Sequence, residues 1–343
     1  MRLHLLITTA VTVIAASAHA QSAPEAGEAE TIVVTGQRAQ QERAIELKRA
    51  AIGVVDVAAS DEIGRLPDRN VAEVIERLPG VGVTYDQGEG RYVAIRGVPA
   101  DLNNYTVNGV EIGNPDGNTR RLPLDIISGQ LLNRVEIAKV KTADMDGQGI
   151  GGNVNLVTQT AFDFAKPFAV SVNAQAGYQE LNDKVPVRAD ASIGGRFGTD
   201  EQFGILIGAS YSERTYTSYG LYPDDWRAVD GFDFARGGAP INTKYTDYSL
   251  KRERIGAIGS LDFRPSDDHQ FYLRGIYSKF TEDEYRQRYR LDFATDGIIG
   301  AGGLTLNADG VTGTAEGAEQ RQDLRQEHKE KSVLASASLW NLL

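Results

Sequence analysis

The stretch Phe168-Ala169-Val170-Ser171-Val172-Asn173-Ala174-Gln175-Ala176-Gly177-Tyr178 alternates apolar or small residues with polar ones. Successive side chains of a strand point to opposite faces, so a period of two gives one greasy face and one wet face. The scheme returns in Val187, Ala189, Ala191 and Ile193, and in Phe203, Ile205, Ile207, Ala209 and Tyr211. It returns again in Ile255, Ala257, Gly259, Leu261 and Phe263, and in runs over 271–280 and 333–339. Each run has roughly the length of a tilted membrane-spanning strand, about 10 residues. A soluble β-sandwich alternates as well, so the period alone leaves both readings open.

The connections decide between them. Only about five residues (198–202) join the second run to the third and about six (264–269) the fourth to the fifth, as the tight turns of a membrane barrel would. Third to fourth takes about 36 residues and fifth to sixth more, as its long outer loops would. The first outer connection, near 179–186, is the short exception. Aromatics sort the same way, with Phe197, Phe203, Phe263, Phe271 and Trp340 at the short-turn ends and Tyr178, Tyr211 and Tyr277 at the others. Two aromatic girdles belong to a barrel in a bilayer, and a sandwich has no reason to arrange them so.

Composition agrees. A chain of 343 residues with 37 glycines and 41% hydrophobic residues has no run near the roughly 20 apolar residues of a spanning helix outside its leader. A net charge of −11 with no basic cluster argues against a nucleic-acid partner. With no cysteine, disulfides, thiolate metal sites and cysteine nucleophiles are excluded, and four histidines are too few for a histidine-built metal site or a Ser/His/Asp set. No enzyme, cofactor or metal is expected.

Residues 1–20 read as a signal peptide: Arg2, an apolar or small run from Leu5 to Ala16, and an Ala18-His19-Ala20 cleavage site. No Cys follows Ala20, so a lipoprotein is not expected. Residues 21–49 read as a flexible tail that begins with a small-residue, acidic linker. It carries the β-branched run Thr31-Ile32-Val33-Val34-Thr35, closed by Gly36. Such a run suits addition to another protein's sheet edge, or serves as an ordinary first strand of the next domain.

Residues 50–165 form a small α/β segment, the size of one core. Val54 to Val57 reads as a strand, and Asn70 with Glu73 as a capping box for a helix bearing Val71, Val74, Ile75 and Leu78, ended by Pro79-Gly80. Strands come next at 92–95, 105–107 and 110–112, the last two joined by Asn108-Gly109, a strong hairpin signal. Runs at 131–140 and 153–158 complete the set.

Two motifs fail. Gly147-Gln148-Gly149-Ile150-Gly151-Gly152 spells a dinucleotide fingerprint, but a strand-like run comes after it where a helix is required, so the glycines read as a tight turn. Asp144-Met145-Asp146-Gly147 hints at a calcium loop, with its glycine in the wrong place.

Signal peptide, β-branched segment, α/β domain and alternating strands, in that order, resemble a TonB-dependent outer-membrane receptor. Thr31 to Thr35 resembles the TonB box. Leu66-Pro67-Asp68-Arg69-Asn70-Val71-Ala72-Glu73 with Leu78-Pro79-Gly80-Val81 is similar to the opening helix of the family's plug. Ile95-Arg96-Gly97, Val107-Asn108-Gly109-Val110, Val135-Glu136-Ile137 with Lys139, and Gly151-Gly152-Asn153-Val154-Asn155 resemble its later motifs. The implied fold class is an α+β plug domain (50–165) followed by the first antiparallel strands of a transmembrane β-barrel (166–343), incomplete.

The resemblance implies energy-coupled uptake of a scarce ligand across the cell outer membrane. TonB, with ExbB and ExbD in the inner membrane, would grip Thr31, Ile32, Val33, Val34 and Thr35 and pull the plug; outer-membrane lipid would surround the barrel. Arg96 and Lys139 match the plug residues that meet barrel glutamates in the family. An extracellular small ligand would touch the outward plug loops at Asp86, Gln87, Glu89, Arg91, Asn114, Asp116, Asn118 and Arg120. A long barrel loop holding Tyr219, Tyr222 and Trp226 would join them. Amides and carboxylates beside aromatic faces suit a carbohydrate, and 86–92 with 144–146 is similar to a branch linked to carbohydrate uptake. A siderophore is the other ligand reading. A passive porin-like barrel and a periplasmic plug-like binding module of residues 21–165 are the other protein classes, and a sensor role would want a signalling domain before Thr31.

The departure from the family is length. Six strands are legible, whereas such transporters use about 22 and would need roughly 800 residues. Open edges in lipid are not viable, so a truncated gene model or fragment that does not itself transport is the expectation.

Overall fold

Between Gln37 and Ala50 there is no glycine or proline, and Ala, Arg, Gln, Glu, Leu and Lys, all good helix formers, dominate. Helix α1 (Gln37–Ala50) forms there. This corrects the tail expected through residue 49, because from 37 on the chain is helical and packs beside β1 (Val55–Ala59), with Lys48 paired to Asp56. The structure, a computed structural model, describes residues 37–51, 53–59, 70–117, 119–143, 145, 147–227, 239–266, 269–293, 304–308, 313–315 and 318–340. The leader, Thr31 to Thr35, and Asn118 lie outside the described residues.

Asn70 caps α2 (Val71–Ile75), accepting the Glu73 N–H at 3.2 Å. Its own amide donates to the Gly90 carbonyl at 2.8 Å, and the Glu73 carboxylate accepts the Gly90 N–H at 3.2 Å. The cap thus ties the helix to β3 (Glu89–Ile95), which pairs with β2 (Val81–Asp86) as a separate hairpin. The helix is shorter than its apolar spacing predicts and does not include Leu78. β4 (Asn103–Val107) and β5 (Val110–Glu111) turn at Asn108 and Gly109, whose φ of 49° and 83° are the left-handed pair a two-residue hairpin needs. With β6 (Leu132–Ala138) and β7 (Gly152–Thr158) they form a five-stranded sheet ordered β1-β6-β7-β4-β5, in which β4 and β7 run parallel. Ile75, Val93, Ile95, Leu124, Ile137 and Leu156 are buried in its core.

The glycine-rich run ends in β7, as a turn would. Gly149 has φ 77°, and a Cβ there would lie 2.5 Å from the Asn104 nitrogen, so only glycine lets this turn press against β4.

The second sheet is an antiparallel meander of β8 (Phe168–Ala176), β9 (Val187–Phe197), β10 (Phe203–Arg227), β11 (Ala239–Ser266) and β12 (His269–Asp292). A small hairpin, β13 (Leu304–Leu306) with β14 (Gly313–Ala315), comes next in sequence, and β15 (Glu319–Trp340) then pairs with β12. The six-stranded order is that of the alternating runs, but β10, β11, β12 and β15 span 25, 28, 24 and 22 residues. The long loop expected between the third and fourth runs is therefore mostly paired strand. Past Tyr211 the hydrophobic alternation fades because charged and hydroxyl side chains occupy both faces, while the backbone ladder continues through Thr215↔Lys251 to Trp226↔Pro240.

The two faces of this sheet differ in the sense expected of a barrel wall. Val172, Ile207, Leu261, Leu273 and Leu334 are exposed, the last at 79%. The opposite face buries Leu206, Ser210, Ile258, Ser260, Asp262, Ile276 and Ser278. That mixed face, part hydroxyl and carboxylate and part apolar, is pressed onto the α/β domain. Ser210 Oγ donates to Ser128 Oγ at 2.8 Å, Ser278 Oγ donates to the Ile126 carbonyl at 2.8 Å, and Leu206 and Ile276 join the domain's apolar core. A soluble sandwich would bury its aliphatic face instead.

Phe197, Phe203, Phe263 and Phe271 stack in a row across four strands, with centroid spacings of 5.6, 4.5 and 5.9 Å. From Phe203 to Tyr211 on β10 is about 26 Å along the strand at the usual rise of about 3.3 Å, or about 20 Å in height at a barrel strand's usual tilt of about 40°.

Candidate functional site

The β2–β3 turn, with Gln87 at φ 52° and Gly88 at φ 83°, carries Gln87 and Glu89 up against the second sheet. Glu89 is only 1% exposed and receives three guanidiniums: Arg214 at 2.7 Å, Arg252 at 2.8 Å and Arg254 at 2.7 Å. Arg252 also donates to Gln87 Oε1 at 2.7 Å and to Glu282 at 2.6 Å, and Gln87 donates to Glu284 at 2.6 Å. Arg254 adds a 2.5 Å bond to the Asp125 carbonyl. Lys329 and Arg325 of β15 close the periphery on Glu282 and Glu284. A buried carboxylate is tolerable only when so paired, and here every cation on it comes from the sheet.

Burial alone would raise the Glu89 carboxyl, but Arg254, Arg252 and Arg214 together hold it well below its ordinary value. Asp125 goes the other way. Its burial raises it, although Arg91, Arg254 and Arg252 pull it down, and the charge on Glu89 adds to the rise. Burial likewise pushes the Tyr105 phenol up to about 12.

A second cluster joins the β2–β3 turn to the loop that follows β5. Arg91 bonds Asp86 at 2.6 Å and Asp116 at 3.3 Å and lies 4.0 Å from Asp125, and Tyr92 donates to Asp116 at 3.2 Å. Lys331 of β15 also pairs with Asp116. Asn114 shapes its loop, accepting the Asp116 N–H at 3.0 Å and donating to the Arg121 carbonyl at 3.2 Å. Arg120 pairs with Gln148.

Of the expected ligand contacts, the structure thus gathers Asp86, Arg91, Asn114 and Asp116 into one patch. Gln87 and Glu89 face the sheet. Trp226 stands on β10, not in a loop, at the far end of the hairpin. Arg96 donates to the Gly151 carbonyl at 3.3 Å, and Lys139 pairs with Asp56 and the Pro79 carbonyl, so both have partners within the α/β domain. Burial would raise Asp56, but Lys139 and Lys48 hold it low.

The sequence reading missed Arg214, Arg252 and Arg254. Their signal is parity: continuing the inward positions Ser210 and Ile258 by twos reaches all three. Ending the strands at Tyr211 and Ile255 hid them. Beside this cluster lies a cavity of about 310 Å³ whose lining includes Glu89, Gln175, Arg188, Ser212, Arg214 and Arg254. Among the described residues no group of acidic or histidine side chains is arranged to hold a metal ion.

Residues 48–153 match the family model of the TonB-dependent receptor plug domain. The fold is a plug domain followed by an open antiparallel sheet. Solved structures similar to the chain include the ferric citrate transporter FecA in its unliganded form (13% identity, 84% of this chain and 49% of that one, TM-score 0.42). The siderophore receptor PirA from Acinetobacter baumannii (13%, 82% and 45%, 0.41) and the alcaligin outer-membrane receptor FauA from Bordetella pertussis (15%, 84% and 49%, 0.40) are also similar. The chain spans about half the length of these structures, and likenesses this loose carry no argument about what it binds.

Proposed function

We propose that this chain supplies the plug and part of the wall of a TonB-dependent receptor that serves energy-coupled uptake of a scarce ligand across the outer membrane. The observation that carries this reading is the seating of a matched plug on the mixed face of a sheet whose other face is aliphatic and bare. A stopper held by a lipid-facing wall has use only if something can move it. TonB, energised by ExbB and ExbD, is that agent, pairing with Thr31 to Thr35 as an added strand. Arg96 and Lys139 lie on the plug motifs that meet wall carboxylates, and we assign them that role when the wall surrounds the plug. Ligand arrives at the patch of Asp86, Arg91, Asn114 and Asp116, with Asn118 and Arg120 in the same loop. An oligosaccharide fits these amides and carboxylates, with Tyr222 and Trp226 of β10 as stacking faces, whereas Tyr219 shares the outer face with Leu221.

The test is binding of the periplasmic domain of TonB to the purified chain in detergent. Val33→Pro removes a backbone N–H that strand addition needs, and binding should fall to background. Equal binding of V33P and wild type would refute TonB coupling. Oligosaccharides failing to bind while a ferric siderophore does would keep the receptor and replace the ligand.

A further inference from the structure

One carboxylate, Glu89, serves three arginines, and of these Arg252 also pairs with a second carboxylate, Glu282. Arg214 and Arg254 both line the neighbouring cavity, together with Arg188 of β9 and the hydroxyl of Ser212. Glu213 borders it too, but its carboxylate engages the Tyr211 hydroxyl at 2.9 Å and Lys251 at 3.6 Å. This cavity thus presents three guanidiniums, of Arg188, Arg214 and Arg254, beside the two carboxylates of Glu89 and Glu213. It has room for a group the size of a sugar acid, and its lining includes a carboxylate supplied by the plug itself.

Guanidinium forks bind planar carboxylates and phosphates by paired, charge-assisted hydrogen bonds. Glu89 already makes such bonds to this wall. Any oxyanion entering the cavity would meet the same donors and compete with Glu89 for them. Because Glu89 sits on the turn that seats the plug, that competition is coupled to the seat.

We propose that this cavity is an oxyanion site: a carboxylate or phosphate on the incoming ligand takes Arg214 and Arg254 from Glu89 and so loosens the plug's turn from the sheet. The inference rests on the receptor reading and deepens it, making the ligand an acidic one, a uronate-bearing saccharide or a sugar phosphate. Coupling is reciprocal: a plug already freed at Glu89 binds the anion more tightly.

Calorimetric titration of the purified full chain in detergent tests it, with glucuronate and inorganic phosphate as probes and glucose and chloride as controls. Glu89→Gln removes the internal competitor, and we expect at least about tenfold tighter probe binding than in wild type. Arg214→Gln, at the cavity rim, should weaken the probe about tenfold or more in either background. Glucuronate binding without phosphate binding assigns a carboxylate ligand, and the reverse a phosphate.

The proposal is overturned if E89Q, shown folded by its protease pattern, binds the probes no tighter than wild type. It is equally overturned if R214Q binds them as wild type does, or if glucose binds as well as glucuronate. The wild-type and R214Q comparison stands even if E89Q fails to fold. TonB binding measured on the same samples separates the two readings. Its loss alone sinks the coupling, whereas loss of anion specificity alone sinks this site.

Discussion

Arg252 of the sheet and Glu89 of the plug meet at 2.8 Å with each side chain 1% exposed, and their bond joins positions far apart in the chain. Neither charge could stay in that place alone. Breaking one member of a buried ionic set typically costs about 3–5 kcal/mol, because the stranded charge keeps its desolvation penalty. Arg252→Met should therefore unseat the plug. Urea titration followed by the protease sensitivity of α2 to β3 is the measurement, with a loss of about 3 kcal/mol expected. A loss under about 1 kcal/mol would show that the pair is solvated and dispensable.

The same carboxylate makes seating pH-dependent. Glu89 has a folded value well below its ordinary 4.5, so its contribution is fully present above that value and is lost as pH falls through the folded one. Asp56, held low by its lysines, adds in the same direction. The contribution of these two carboxylates should be flat above about pH 5 and weaken progressively in acid. Glu89→Gln should flatten the acid limb. Equal acid sensitivity in E89Q would place the titrating group elsewhere.

Asp125 gives the opposite sign on nearly the same spot. Its folded value is raised, so what it contributes is present below its ordinary 3.8 and lost as pH rises through the folded value. Among the described residues its buried Oδ1 has no hydrogen-bond partner. Asp125→Asn should accordingly leave plug stability at pH 7 within about 1 kcal/mol of wild type, or improve it. A loss near that of Arg252→Met would show that the Asp125 charge is needed.

Glycine positions separate two kinds of constraint. Gly109 has φ 83° with open space where a Cβ would stand, so Gly109→Ala carries conformational strain alone, about 1 kcal/mol. At Gly149 the same φ sign is joined by a Cβ only 2.5 Å from the Asn104 nitrogen, so β4 or the turn must move. Gly149→Ala should cost at least about 2 kcal/mol more, read from urea midpoints of the plug. Equal costs would mean that the turn is loose.

These residues mark what could be read beforehand. The Asn108-Gly109 turn, the Asn70 cap and the alternation from Phe168 to Tyr211 each rest on neighbours in sequence, and each stands in the structure. Helix α1 was obscured because its composition resembles a solvated tail. The extensions of β10 to β12 past Tyr211, Ile255 and Tyr277 were obscured because charged and hydroxyl side chains stand on both faces there, so no hydrophobic period marks them. The Glu89 site needed both strand parity beyond Tyr211 and the knowledge that a plug turn would rise to meet it. Only the first is written locally.

The lipid reading has a sharp consequence on a single strand. Ile207 lies midway between Phe203 and Tyr211, and Leu221 lies beyond Tyr211 on the same outer face; they are 62% and 65% exposed. For a water-soluble sheet, Ile207→Arg and Leu221→Arg would be equally harmless, within about 0.5 kcal/mol, as surface changes usually are. If the outer face from Phe203 to Tyr211 meets hydrocarbon, Arg at 207 must carry its charge into it, at about 2–4 kcal/mol near the midplane, while Arg at 221 stays in water. In a receptor whose wall is closed, folding titrations into lipid vesicles should therefore show a large loss for I207R and almost none for L221R. Equal tolerance at both sites would remove the membrane from the account of this sheet.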